Sequence, residues 1–400
     1  MMNERKSYDN PEQLLHERKQ LFVDAVRLGR KPKRIPILAN TITWSVVDSP
    51  YKLSEAIYDE EKMFDVVCSH HEKYEFDLYT YTGARNWLEF SDAFGKDTCY
   101  IIDDENYGIN YPDSASIADE SDYPALLEKG LIKYYFENGI PRKYGLTDRD
   151  DIIERFGKAI SAFRRRDQYL ARVKKQFNEK YGVPSWSPIV TEFPLDIIYK
   201  AIRGMKGFSI DLRRNQYFIE KTLDMLDEHF YPKLLKRLDN YKERDDFVFA
   251  MRTTSLVHTV LNPKQFEKYL WPHIKRFAED LAKRDMVGSI FMEGNIDPLV
   301  DFFQDIPPGH LVLQIENGDP VALRHKLQNH VTLAGGYNSY YLGRGSEKET
   351  VEEAAALLDA VAYDGKYIFT TDKMLSFEGD AKAENFLALN RFIKDYRLPS

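Results

Sequence analysis

The sequence predicts an α/β fold: a (β/α)8 TIM barrel of about eight parallel strands, with an N-terminal helical extension and an insertion near residues 84–150. Three observations lead there. Short apolar runs alternate with helix-period segments along most of the chain, the pattern of parallel strands joined by crossover helices. Four such units follow one another in the last third. Their strands end in polar residues, at Glu293-Gly-Asn295, Glu316-Asn-Gly-Asp319, Gly335-Gly-Tyr-Asn338 and Thr370-Thr-Asp-Lys373.

The elements follow in order. Leu14, Leu15, Leu21, Phe22, Ala25, Val26 and Leu28 repeat at helical spacing over residues 11–30, and Gly29 supplies a stop. Residues 35–44 form the first buried strand, 53–73 a helix and 76–83 the second strand. From 84 to 150 the pattern loosens into Gly, Asp, Asn and Pro clusters. A charged helix then spans 152–180, and a strand over 187–194 precedes helices through 202 and over 213–241. The next strand covers 246–254. Asn262-Pro263 opens a helix that runs to about residue 284. Four βα units and a helix over 381–396 complete a single domain, 1–400, without linker or repeat.

Composition narrows the function. A net charge of −8 with interspersed signs offers no basic face for phosphate backbones, so nucleic-acid binding is not expected. Cys68 and Cys99 lack CxxC spacing and are read as reduced. Without an apolar signal core or a run of roughly 20 apolar residues, the expected location is cytoplasmic, away from membranes. The 26 tyrosines fit either ordinary packing or an aromatic-lined pocket.

Strand direction decides which titratable groups can meet, because chemistry in such sheets gathers at the carboxyl ends of the strands. Glu293 and Glu316 reach that face from neighbouring strands. Paired carboxylates there can act as general acid and base, hold a metal or bind a cation. His258 follows the strand ending at Arg252–Thr254 and shares the face, whereas a salt bridge from Arg252 to Glu293 is the purely structural alternative. Asp372 and Glu192 reach the same mouth. His310 and His330 precede their strands, and His325 falls in a crossover helix. His70 and His71 lie on a helix where adjacent residues diverge. No GxGxxG, GxxxxGK[ST] or GxSxG pattern occurs, so nucleotide chemistry and a serine elbow lack support.

With these residues assembled, the chain resembles the uroporphyrinogen decarboxylase superfamily. The resemblance lies in Glu17–Ile37, Leu261–His273, Phe291-Met-Glu-Gly-Asn295 and Leu333-Ala-Gly-Gly-Tyr-Asn338. It implies a lone (β/α)8 barrel that is either a decarboxylase or a corrinoid-dependent methyltransferase. The arginine-bearing segment with which decarboxylases hold tetrapyrrole carboxylates corresponds here to Ala39-Asn-Thr-Ile-Thr-Trp-Ser45, which has no arginine. That favours the methyltransferase branch. Its zinc-dependent thiol-methylating members use a His-x-Cys pair and a later Cys, where this chain has Phe291, Glu293 and the Thr371–Lys373 region. Zinc can still be held by carboxylate oxygen and imidazole, and Glu293, Glu316 and His258 or Asp372 could make such a site.

The resemblance therefore implies transfer of a methyl group from a small methylated substrate, such as an aromatic methyl ether, to the cobalamin of a partner corrinoid protein. Glu293 and Glu316 are the expected catalytic carboxylates. Trp44, Tyr81, Glu192, Arg252, Asn295, Tyr337 and Asn338 are expected to contact substrate, and a homodimer is compatible with the reading. The alternatives are a decarboxylase-like lyase acting on a small carboxylated substrate and a non-catalytic binding barrel.

Overall fold

The computed structural model describes residues 8–79, 88–95, 100–110 and 116–399. Among the described residues there are ten strands: β1 (Leu38–Ala39), β2 (Leu78–Tyr79), β3 (Ile101–Asp103), β4 (Gly108–Asn110), β5 (Ile189–Val190), β6 (Met251–Ser255), β7 (Gly288–Asn295), β8 (Leu311–Asn317), β9 (Thr332–Gly335) and β10 (Tyr367–Ile368). β3 and β4 form a separate antiparallel hairpin. The other eight are parallel neighbours in the order β5-β6-β7-β8-β9-β10, then β1-β2, the two groups joined by a bridge from Ile37 to Phe369. Among the described residues no ladder joins β2 to β5.

Side-chain alternation shows that these strands wrap round a barrel. Leu38, Leu78, Val287, Val312, Ala334 and Ile368 come from six different strand segments yet share one buried cluster. Leu311, Leu313, Ile315, Leu333, Ile290 and Met292, at the intervening positions, pack into the outer layer beneath the helices. A period of two therefore separates the barrel interior from the helix-facing side. Phe22, Ala25 and Val26 of the first helix, Pro11–Val26, plug the amino-terminal end of the interior cluster. Lys366 fixes that plug by donating to the carbonyls of Asp24, Arg27 and Arg30, a cation at a helix carboxyl end.

The predicted alternation holds, and the boundaries shift for local reasons. The helix expected over 53–73 divides into Leu53–Tyr58 and Glu60–Tyr74, because Asp59 turns extended and accepts from the Glu61 and Lys62 amides as an N-cap. The helix begun at Pro263 breaks at Leu270, just before Pro272, which has no amide to continue the ladder. The stretch expected as an insertion holds the β3–β4 hairpin and the helix Tyr123–Tyr134. His310 and His330 lie at the amino-terminal side, where their Nδ1 atoms face the carbonyls of Met286 and Ile306. Cys68 is a buried free thiol, and Cys99 lies outside the described residues. No described helix is long and apolar enough to cross a membrane.

Three histidines are buried in neutral form. Desolvation lowers the pKa of His70 to about 3 and of His258 to about 4, and drives His71 well below its ordinary value. The unfolded chain binds these protons near pH 6.5 and the native one does not, so stability falls as pH drops from about 6.5 toward 4, by up to about 1.4 kcal/mol per pH unit for each histidine. Neither ring nitrogen of His71 has a hydrogen-bond partner, and its ring packs on Phe177 and Tyr181. His71→Phe should keep that packing and remove about a third of the acid sensitivity, measured as the change in urea midpoint between pH 7 and pH 5.

Candidate active site

The site is built where β7 departs from regular pairing. Met292 pairs with Ile315, but the next pair is Asn295 with Asn317, so Glu293 and Gly294 together face the single residue Glu316. Such a bulge leaves one amide outside the ladder and re-aims the adjacent side chain. Gly294 adopts φ 75°, open to glycine at little cost, and its free N–H donates to Glu316 Oε2 at 2.6 Å. Glu316 is thus bound to the turn that presents Glu293.

Glu293 is half-buried, and its pKa is raised. Burial is the largest cause; the charges of Glu316 and Asp196 add to it, and Lys200 opposes them. Lys200 comes from the segment after β5. Its Nζ lies 3.2 Å from Glu192 Oε1 and 3.6 Å from Asp196 Oδ1, and this acidic company raises its own pKa over the opposing effect of burial. Asp196 is fully buried and accepts from Ser255 Oγ at 2.8 Å and from the Leu256 and Val257 amides at 2.9 and 3.0 Å. It fastens the end of β6 to the next loop, which carries His258. A wide i→i+5 turn over Ile198–Ile202 places Tyr199 and Lys200. Burial, and after it the charges of Asp196 and Glu293, raise the Tyr199 pKa.

Glu192, Glu293, Glu316 and His258 therefore gather at the carboxyl-terminal mouth as expected from strand direction. Asp196, Tyr199 and Lys200 join them without having been anticipated. Their signal in the sequence is Asp196 and Lys200 at i,i+4, which reads equally well as a solvated helix pair.

Other expected contacts lie elsewhere. Trp44 is 1% exposed, packed against His70, Tyr74 and Phe386, and its indole N–H donates to the Ala381 carbonyl, so it is core. Tyr337 is wholly buried on Phe369, with its hydroxyl donating to the Thr350 carbonyl. Arg252 stands at the second position of β6, paired with Ser289 near the start of β7, and its guanidinium lies 4.9 Å over Trp186. The strand begins at Met251, five residues after the expected start at 246, which puts Arg252 low in the barrel rather than at the mouth. Asn295 and Asn338 are exposed and accept from the Asp297 and Tyr340 amides as turn-formers. Tyr81 lies outside the described residues.

The expected metal ligands do not form a cage. Both Asp372 oxygens accept main-chain amides, from Ser339 and Lys373, and Glu316 is held by Gly294. Among the described residues no three His, Cys, Asp or Glu side chains gather as a metal would require. The donor set does not fit zinc, and no chemical step is assigned to one. A surface cleft of about 480 Å³ lined by Pro188, Lys233, Lys236, Arg237 and Tyr241 lies apart from the carboxylates.

The bulge makes a direct prediction. A Cβ on Gly294 would fall 2.7 Å from Thr259 Cγ2. Gly294→Ala should lower stability by about 1–3 kcal/mol through backbone strain and this clash. Adding Thr259→Ser should recover the steric part alone, as a partial return of the urea midpoint.

Residues 251–394 match the family model of uroporphyrinogen decarboxylase (URO-D). No curated protein matches the chain. Among solved structures, a methyltransferase from Methanosarcina mazei superposes with a TM-score of 0.62 at 15% identity, over 94% of this chain and 98% of that one. At that identity the likeness is one of fold. The stretch that resembles the uroporphyrinogen decarboxylase model, residues 251–394, carries His258, Glu293, Glu316 and Asp372.

Proposed function

We propose that the protein is a methyltransferase that removes the methyl group from a small methylated compound, with an aromatic methyl ether as the type substrate, and delivers it to the cobalamin of a separate corrinoid protein. One observation carries the reading: a carboxyl group, Glu293, sits at the mouth of the barrel with burial and a second carboxylate holding its proton beyond the ordinary range. The match of fold along nearly the full length of a methyltransferase supports the reaction class.

An ether oxygen is a poor leaving group, so the barrier falls when a proton reaches it as the C–O bond breaks. The corrinoid, when bound, supplies the nucleophile that takes up the methyl group. Glu293 gives its proton to the departing oxygen, which leaves as the phenol, and Glu293 is left as a carboxylate. Lys200 stabilises that carboxylate, since its cation already favours the charged form. Glu316 disfavours the same charge and so keeps the proton in place before reaction. Solvent protonates Glu293 again after the product departs.

The lyase reading has one observation in its favour, the family match over residues 251–394. Against a multiply anionic porphyrinogen stands the Ala39–Ser45 stretch, where Asn40, Thr41, Thr43, Trp44 and Ser45 are all buried and uncharged. Release of carbon dioxide from a carboxylated substrate without a corrinoid would favour the lyase. Loss of methyl from an aryl methyl ether only in the presence of reduced cobalamin would favour the methyltransferase.

The pH dependence has a definite sign. A donor must be protonated, so methyl transfer is constant below the raised pKa of Glu293 and falls about tenfold per pH unit above it. Lys200 lowers that pKa, so Lys200→Met should move the alkaline limb to higher pH. Glu293→Gln should reduce the rate by roughly 10²–10⁴ and abolish the limb. An alkaline limb that stays in place in Lys200→Met would remove Glu293 from the role of acid.

A further inference from the structure

Beneath the carboxylates lies a second polar tier that the proton transfer does not use. Gln314 is two residues before Glu316 on β8 and therefore points into the barrel with it, about 7 Å lower along the strand. It is 1% exposed, and neither its amide nitrogen nor its amide oxygen has a hydrogen-bond partner. By the same alternation Thr370 shares a side with the interior residue Ile368, and Asn40 with the interior residue Leu38. Thr370 Oγ1 and Asn40 Nδ2 are likewise buried and unpartnered. Buried polar atoms in folded proteins are almost always satisfied, and leaving one unsatisfied costs about 1–3 kcal/mol. Three such side chains on the interior side of their strands are not accounted for by packing.

Their neighbours set the shape of what fits. Gln314 pairs with Phe291 on one side and Ala334 on the other, a ring and a bare methyl. That combination flanks the amide with an aromatic ring on one strand and a small side chain on the other. We infer that Gln314, Asn40 and Thr370 form the floor of the substrate pocket and take the hydrogen-bonding ring substituent, a hydroxyl, of an oxygenated arene whose other end reaches Glu293 and Glu316. Gln314 offers an acceptor to a phenol proton and a donor to its oxygen, while Asn40 and Thr370 add donors. All three side chains are neutral, which suits a hydroxyl. This assignment rests on the methyl ether reading for the class of substrate, but it concerns binding and needs no transfer step.

The test compares para-methoxyphenol with para-methoxytoluene, which differ in that one substituent, by titration calorimetry on the intact protein without corrinoid. Wild type should bind the phenol roughly tenfold more tightly or better. Gln314→Leu should erase the preference by weakening the phenol alone. It should also leave the melting temperature unchanged or raise it, because it removes an unpaired buried amide. Gln314→Glu, which keeps the shape, separates loss of volume from loss of amide chemistry and should also lose the preference. Two results would overturn the inference: equal affinity of wild type for both probes, or a lowered melting temperature in Gln314→Leu with the preference intact, the sign of an amide serving only an internal water. Failure of methyl transfer with the phenol preference preserved would reject the proposed reaction and leave the pocket floor standing.

Discussion

The site depends on one hydrogen bond, from the Gly294 amide to the carboxylate of Glu316. A bulge that sets two residues of β7 against one of β8 breaks the parallel ladder and strands an amide. An unsatisfied main-chain donor at a half-buried strand end would cost about 1–3 kcal/mol, and a charged acceptor is the strongest remedy. Glu316 supplies it from the neighbouring strand. The same bond fixes where Glu316 holds its charge, and through that charge it sets how firmly Glu293 keeps its proton. Glycine at position 294 is demanded by both the φ value and the close approach of Thr259.

Around this bond the electrostatics are layered. Asp196 has no exposed surface and spends its oxygens on Ser255 and two amides, so it is a strut that joins the segment after β5 to the loop after β6. Lys200, one helical turn on, provides positive charge to the mouth. Glu293 then sits between a cation that favours its carboxylate and two carboxylates that oppose it. A carboxyl placed in such opposing fields is poised to give up a proton when new negative charge develops on a nearby oxygen. His258 remains neutral through burial, so it contributes no competing cation.

Much of this was legible in the sequence because strand period and direction are local properties. Apolar runs followed by Glu293, Glu316 and Asp372 place all three at one end of a parallel barrel, and His310 and His330, which precede their runs, fall at the other. What the sequence does not carry is register. The start of β6 is set by its pairing with β7, so Arg252 moves from the mouth to the barrel's lower interior. Aromatic residues mislead for a related reason: Trp44 and Tyr337 have polar tips that suit a pocket, yet main-chain carbonyls of Ala381 and Thr350 satisfy them within the core. Asp196 and Lys200 were hidden because i,i+4 pairs are common on solvated helices. The polar tier of Gln314, Asn40 and Thr370 shows only when alternation on three strands is combined with burial.

Burial and its carboxylate neighbours keep Glu293 protonated above the ordinary glutamate range. Difference infrared spectroscopy of wild type against Glu293→Gln, followed across pH, reads that proton directly. The expected result is a protonated carboxyl band, assigned to Glu293, that titrates above the free glutamate value of about 4.3, and at a higher pH still in Lys200→Met. A band that is lost at or below that value would contradict it.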